Sequence, residues 1–174
     1  VIEMTIPKKG DAVSSMLLSF TTKLATNTIL KEKGTPITQL HASSENLLVS
    51  TTKRTLLVNL KEHNFRAVGS KPRDGVFGAC FQTIVTPKKD ATPATSIEQI
   101  FASRPGRRIW CCDIASCKVL STLKFPGSSK LNFTFMHPLS VEFQQALLPL
   151  VVTFSQDAIG VLDLVKVKVV DMKA

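Results

Sequence analysis

Leu47-Leu48-Val49-Ser50-Thr51-Thr52-Lys53-Arg54-Thr55-Leu56-Leu57-Val58-Asn59-Leu60 is an apolar run, a small polar turn carrying two cations, and a second apolar run. Short apolar runs separated by so few turn residues predict two strands of a hairpin. The same register returns over residues 100–114 and 150–164. Its closing pairs are Asn59-Leu60, Asp113-Ile114 and Asp163-Leu164, spaced 54 and 50 residues apart. A repeat of that period marks a propeller or a solenoid, and the β-rich segments select the propeller.

Flanking strands extend each hairpin. Pro36-Ile37-Thr38-Gln39-Leu40-His41, Gly78-Ala79-Cys80-Phe81-Gln82-Thr83-Ile84 and Pro138-Leu139-Ser140-Val141-Glu142-Phe143 precede the three in turn, and fourth strands follow at 65–68, 118–123 and 167–170. The expected fold is all-β, a partial WD-type β-propeller of three four-stranded antiparallel blades. They span about 36–68, 76–124 and 137–171, with outer strands of a preceding blade over 1–31. A polar, Pro-containing insertion occupies 86–96, and 125–137 reads as an irregular connection. Within the first 31 residues, strands are expected at 1–6 and 26–31. Between them, Met16, Leu17, Phe20 and Leu24 stand at helical spacing after Asp11. That segment, 11–24, reads as a short helical insertion or as an extended strand with a loop. Three blades do not close a ring, so the rest is expected from further sequence. A start at Val1 rather than Met agrees with an excised piece.

Composition is that of a globular chain, 44% hydrophobic and 20% charged. No apolar stretch is long enough to span a bilayer, and the first residues lack a signal-peptide layout, so a cytoplasmic address is expected. Cys80, Cys111, Cys112 and Cys117 include an adjacent pair, which suits a reducing compartment better than a disulfide framework.

Residues that would carry catalysis are scarce. His41, His63 and His137 are the imidazoles, and none has a partner at a motif spacing, so no catalytic residue and no enzyme activity are expected. Adjacent cysteines on a strand point to opposite faces, so Cys111 and Cys112 do not suit one zinc ion, and no metal is expected. Gly69, Gly75 and Gly78 lack the Lys-Ser/Thr of a phosphate loop, and no cofactor is expected. Trp110 is the sole Trp and there is no Tyr, so the signal for a stacking platform for single strands is weak; Trp110 reads as blade packing.

The net charge of +9 concerns partners rather than fold. In a propeller, the turns between second and third strands and the links between blades emerge on one face. There the sequence places Lys53, Arg54, Lys71, Arg73, Arg104, Arg107 and Arg108, with Lys31, Lys33 and Lys130, against Glu32, Asp74 and Asp157. These residues are the candidate partner-binding face, fit for an acidic protein or peripheral contact with an anionic membrane. The plainer alternative is a set of solvated turn charges. Nucleic-acid binding follows from charge alone and predicts strong salt dependence; no nucleic acid is expected.

Two motifs resemble a known family: Gly69-Ser70-Lys71-Pro72-Arg73-Asp74-Gly75-Val76-Phe77-Gly78-Ala79-Cys80-Phe81 and Ala102-Ser103-Arg104-Pro105-Gly106-Arg107-Arg108-Ile109-Trp110. With Leu47-Leu48-Val49-Ser50 and Arg54, they are similar to the N-terminal WD-repeat propeller of the Hermansky-Pudlak syndrome type five protein family. That propeller is related to the one in a tectonin-repeat autophagy protein. Val58-Asn59-Leu60 and Cys111-Cys112 depart from the pattern. The resemblance implies a non-enzymatic scaffold in vesicle trafficking and lysosome-related organelle biogenesis, on endosomal membranes. Its implied partners are sister subunits of an organelle-biogenesis complex and a small GTPase. The related propeller implies an autophagy adaptor instead. Each motif also has a local physical reading. Arg73-Asp74-Gly75 is a turn, Gly78-Ala79 permits close strand packing, and Pro105-Gly106 turns the second hairpin.

Overall fold

A computed structural model describes residues 35–62, 64–86, 95–126, 132–143, 146–156, 159–164 and 168–172, together with Ile2–Glu3 and Thr21–Thr22. The chain divides into two compact units, 1–34 and 35–174. In the first, β1 (Ile2–Glu3) pairs antiparallel with β2 (Thr21–Thr22). Thr21 and Thr22 are thus extended, which agrees at these two residues with the strand alternative for 11–24 and not with the helical one; successive β-branched residues favour a strand. The remainder of that segment and the strand expected at 26–31 lie outside the described residues.

The second unit holds three four-stranded antiparallel sheets. The first contains β3 (Ile37–Ala42), β4 (Asn46–Thr51), β5 (Thr55–Asn59) and β6 (Phe65–Ala67). The second contains β7 (Ala79–Thr86), β8 (Thr95–Arg104), β9 (Arg108–Asp113) and β10 (Val119–Lys124). The third contains β11 (Phe135–Phe143), β12 (Ala146–Phe154), β13 (Ile159–Asp163) and β14 (Lys168–Met172). Strands pair in chain order within each sheet, the meander expected of a propeller blade. The insertion is narrower than 86–96, because Thr86 pairs with Thr95 and Val85 with Ser96. The connection before the third blade also ends earlier, at Phe135, and the third hairpin reaches back to Ala146.

The first strand of each blade is its inner one: β7 lies against both β3 and β11. Side chains tie these strands together. Gln39 of β3 donates to the Met136 carbonyl (2.6 Å) and accepts from the Met136 N–H (3.1 Å). Gly78 makes room for this crossing, since a Cβ there would stand 2.8 Å from Met136 N and 2.9 Å from Phe135 Cα. The amide of Gln82 on β7 donates to the carbonyls of Leu139 (3.0 Å) and Leu150 (2.8 Å) in the third blade.

Strand alternation sends the middle blade's side chains alternately to its two neighbours. Cys80, Phe101, Ile109 and Cys111 join Met136, Val151 and Leu162 of the third blade in one buried cluster. Phe81, Ile100, Ala102 and Cys112 join Leu48 and Leu57 of the first blade in another. Each large side chain buried this way stabilises the blade pair by about 1.5–3 kcal/mol. The closing residues of the hairpins have a shared task. Asn59 Oδ1 accepts from the Lys61 and Glu62 N–H groups, and Asp113 Oδ2 from the Ser116 N–H, so each caps its following turn.

Candidate functional site

The basic turns converge at one end of the first and second blades. At the β4–β5 turn, Thr51 Oγ1 accepts from the Lys53 N–H (3.2 Å) and the Arg54 N–H (3.1 Å), which fixes a tight turn with Lys53 exposed and Arg54 half-buried. The inter-blade link runs beside it: the Arg73 N–H donates to the Lys53 carbonyl (2.8 Å) and Lys53 Nζ to Asp74 (2.9 Å). Asp74 therefore forms an exposed ion pair with Lys53 across the link.

Three of the seven candidate residues point inward. Arg73, Arg104 and Arg107 are buried, at 6%, 8% and 9% exposure. Arg73 is the keystone. Its guanidinium donates to the carbonyls of Ser103 (2.9 Å) and Thr51 (3.3 Å) and to Thr55 Oγ1 (2.9 Å), and it lies over the Phe77 ring at 4.9 Å. The hydroxyl of Ser103 accepts from the Gly78 N–H (2.9 Å) and donates to the Phe133 carbonyl (2.7 Å). A buried polar relay thus runs from Thr55 of the first blade through Arg73 and Ser103 to the entry of the third. Burial, and secondarily the charge of Arg104, brings the Arg73 pKa down to about 9, which leaves the cation intact at neutral pH.

Arg104 donates to the Pro72 carbonyl (2.9 Å) and lies 4.0 Å over the Trp110 ring. Gly69 meets that ring too; a Cβ there would stand 2.9 Å from Trp110 Cε3. Trp110 is accordingly a packing residue of the blade. Arg107, at positive φ after Pro105-Gly106, donates to the Pro126 carbonyl (2.9 Å), while its own carbonyl accepts from the Phe125 N–H (2.9 Å). The expectation that the turns present these arginines outward is corrected by this geometry, because carbonyl groups at the blade ends offer fixed acceptors. Lys53, Lys71 and Arg108 remain exposed, with Arg54 at the margin. Lys31, Glu32, Lys33, Lys130 and Asp157 lie outside the described residues, as does His63.

Other chemistry is absorbed by packing. Cys111 and Cys112 fall in different clusters, on opposite faces of β9. Burial pushes the thiol of Cys112 up to about 12 and that of Cys80 up as well, which holds both protonated. His41 accepts from the Phe81 N–H at Nδ1 (3.3 Å), so its bond joins two blades; His137 is exposed and stacked with Phe135. Sequence reasoning missed Gln39, Gln82 and Ser103 as connectors. A polar residue recurs at the base of each hairpin, as Ser50-Thr51, Ser103 and Thr153, and was the available signal.

This is an arc of WD-type propeller blades with a basic end. Its similarities to known proteins are of the same kind. Over 90 residues it is 36% identical to the BLOC-2 complex member HPS5 homolog of Drosophila melanogaster, which covers 52% of this chain and 10% of that protein. Over 108 residues it is 37% identical to human Tectonin beta-propeller repeat-containing protein 2, covering 61% of this chain and 7% of that protein. Human BLOC-2 complex member HPS5 is 32% identical over 89 residues, covering 51% of this chain and 7% of that protein. These are the proteins that the two motifs resemble, and none bears the name of an enzyme. The chain spans between 7% and 14% of the length of the relatives it matches. No family model and no solved structure matches. Among the described residues, no helix is long and apolar enough to cross a membrane.

Proposed function

We propose that this chain is part of a non-enzymatic scaffold subunit serving vesicle trafficking and the biogenesis of lysosome-related organelles. The observation that carries this reading is the similarity to HPS5 proteins of the BLOC-2 complex in fly and human. In it, residues 1–31 supply the edge of a preceding blade, and the arc of blades holds its basic turns in fixed positions. Lys53, Lys71 and Arg108, with Arg54 beside them, contact acidic surfaces of sister subunits. A small GTPase and the anionic surface of endosomes are further contacts from the cytoplasmic side. Arg73, Arg104 and Arg107 serve this face indirectly, by holding the turns.

The test is capture of the tagged full-length protein from cells. Co-recovery of the other BLOC-2 subunits, reduced by combined Lys71→Glu and Arg108→Glu, is the expected result. A second reading, an autophagy adaptor, is favoured by the similarity to the tectonin-repeat protein. Recovery of autophagosome proteins in place of BLOC-2 subunits would establish it, and recovery of neither set would remove both readings.

A further inference from the structure

The outer rim of the middle blade carries a second feature, which meets the basic end at Arg108. β10 is the terminal strand of its sheet, so one side of its backbone meets no other strand of that sheet. Five of its six residues are exposed, and Leu120 reaches 57% exposure. Beside it, between the second and third blades, lies a mainly apolar cavity of about 180 Å³ lined by Ile84, Phe101, Leu123 and Leu164 among others, with Gln99 and Ser121 as its polar wall. An apolar cavity of about 150 Å³ holds a benzene molecule, so this wedge has room for one large apolar side chain. The middle blade has a neighbour on each side here, and a strand at the outer rim stays at the edge however many blades complete the ring.

Charge indicates what would bind. Exposed Lys118 precedes the strand and exposed Lys124 ends it; the ion pairs among the described residues, Lys53–Asp74 and Lys61–Glu45, include neither. Lys124 stands directly opposite exposed Arg108 in the β9–β10 ladder. Like charges so placed repel, and an acidic group between them removes the repulsion. Lysines also protect edge strands from unwanted pairing. Here they sit only at the ends, while Val119 and Leu120 form an apolar stretch where the register against β9 shifts, so the regular edge is that of Ser121 to Lys124.

We infer that β10 is a strand-addition site for an extended peptide segment. One large apolar side chain of the peptide enters the wedge, and its acidic residues meet Lys118 at one end and Lys124 with Arg108 at the other. Backbone bonds to the open edge supply affinity, and the wedge and the lysines supply selectivity. An added strand would carry alternate side chains on the face shared by Ser121 and Leu123, both of which border the wedge.

The probe is a fluorescent peptide with a central phenylalanine, valines at alternate positions and paired glutamates at both ends, titrated into the full-length protein. Saturable binding is expected, weakened about tenfold or more by Leu120→Lys and by N-methylation of alternate peptide amides. Leu120 is exposed, so the variant keeps the core intact; circular dichroism checks this. Absence of saturable binding, or an affinity unchanged by either N-methylation or Leu120→Lys, overturns the inference. Such a failure leaves the trafficking assignment standing, since that rests on the similarity and the basic end.

Discussion

Toward the third blade, the middle blade packs Phe101 and Ile109 against Met136, Val151 and Leu162, and Phe125 meets Phe133 edge-on at 4.9 Å in the connection between them. Toward the first blade it offers Phe81 and Ile100 with the smaller Ala79, Ala102, Cys112 and Cys117, and the end of that interface is closed by Arg73 and Arg104. One interface is sealed by aromatic volume and the other by cations bonded to carbonyl groups. An apolar seal depends on shape and a cationic seal on donor geometry, so different substitutions should open them.

The largest effect is expected at the aromatic seal. Phe133→Ala removes a fully buried ring and should cost about 3–5 kcal/mol, read as a fall in the denaturation midpoint. Hydrogen exchange should rise first in β11 and β12. Equal loss of protection in β4 and β5 would show that the two interfaces open together.

A smaller loss is expected from Arg73→Lys. A single ammonium group cannot span the Ser103 carbonyl, the Thr51 carbonyl and Thr55 Oγ1, so about 1–3 kcal/mol should go although the charge is kept. A variant as stable as the parent would mean that charge alone closes this seal. The Ser103 hydroxyl bonds the Phe133 backbone carbonyl, which Phe133→Ala keeps, so combining the two substitutions should give a nearly additive loss.

The smallest effect depends on pH and lies at the inner edge of the first interface. Burial, with the charge of His137 second, holds the pKa of His41 below its usual 6.5. The folded chain then binds fewer protons here than the unfolded chain. Its contribution is fully present above the ordinary histidine value and is lost as pH falls through that value to the lowered one. Thermal midpoints measured from about pH 7.5 to 5 should fall, and His41→Gln should flatten the slope, since an amide does not titrate in that range. An unchanged slope would remove His41 as a cause. The facing imidazole His137 and the bonded Phe81 N–H are the groups that set this response.

Most of the architecture could be read in the sequence because hairpins announce themselves locally. The three apolar pairs closing at Leu60, Ile114 and Leu164 specify the strands, and Asn59 and Asp113 mark the turns they cap. Gly78 was legible as a point of close packing, though not the Gln39 side chain that fills the space. The direction of Arg73, Arg104 and Arg107 was not legible. A charged residue in a turn carries the same local signature whether it meets water or the carbonyl of a residue about thirty positions away. Over 11–24 the sequence left a helix and an extended strand open, and Thr21 and Thr22 take the strand, because their partner Ile2–Glu3 is set by tertiary pairing.

The crossing of Gln39 to Met136 has a consequence for the order of assembly. The two residues are 97 positions apart, so during synthesis this bond waits until the middle blade and the first strand of the third have been made. Until then the Gln39 amide and the passage over Gly78 stay open to solvent or to a chaperone. Contacts of such long sequence separation form slowly, so completion of this arc should be a late event in the maturation of the chain.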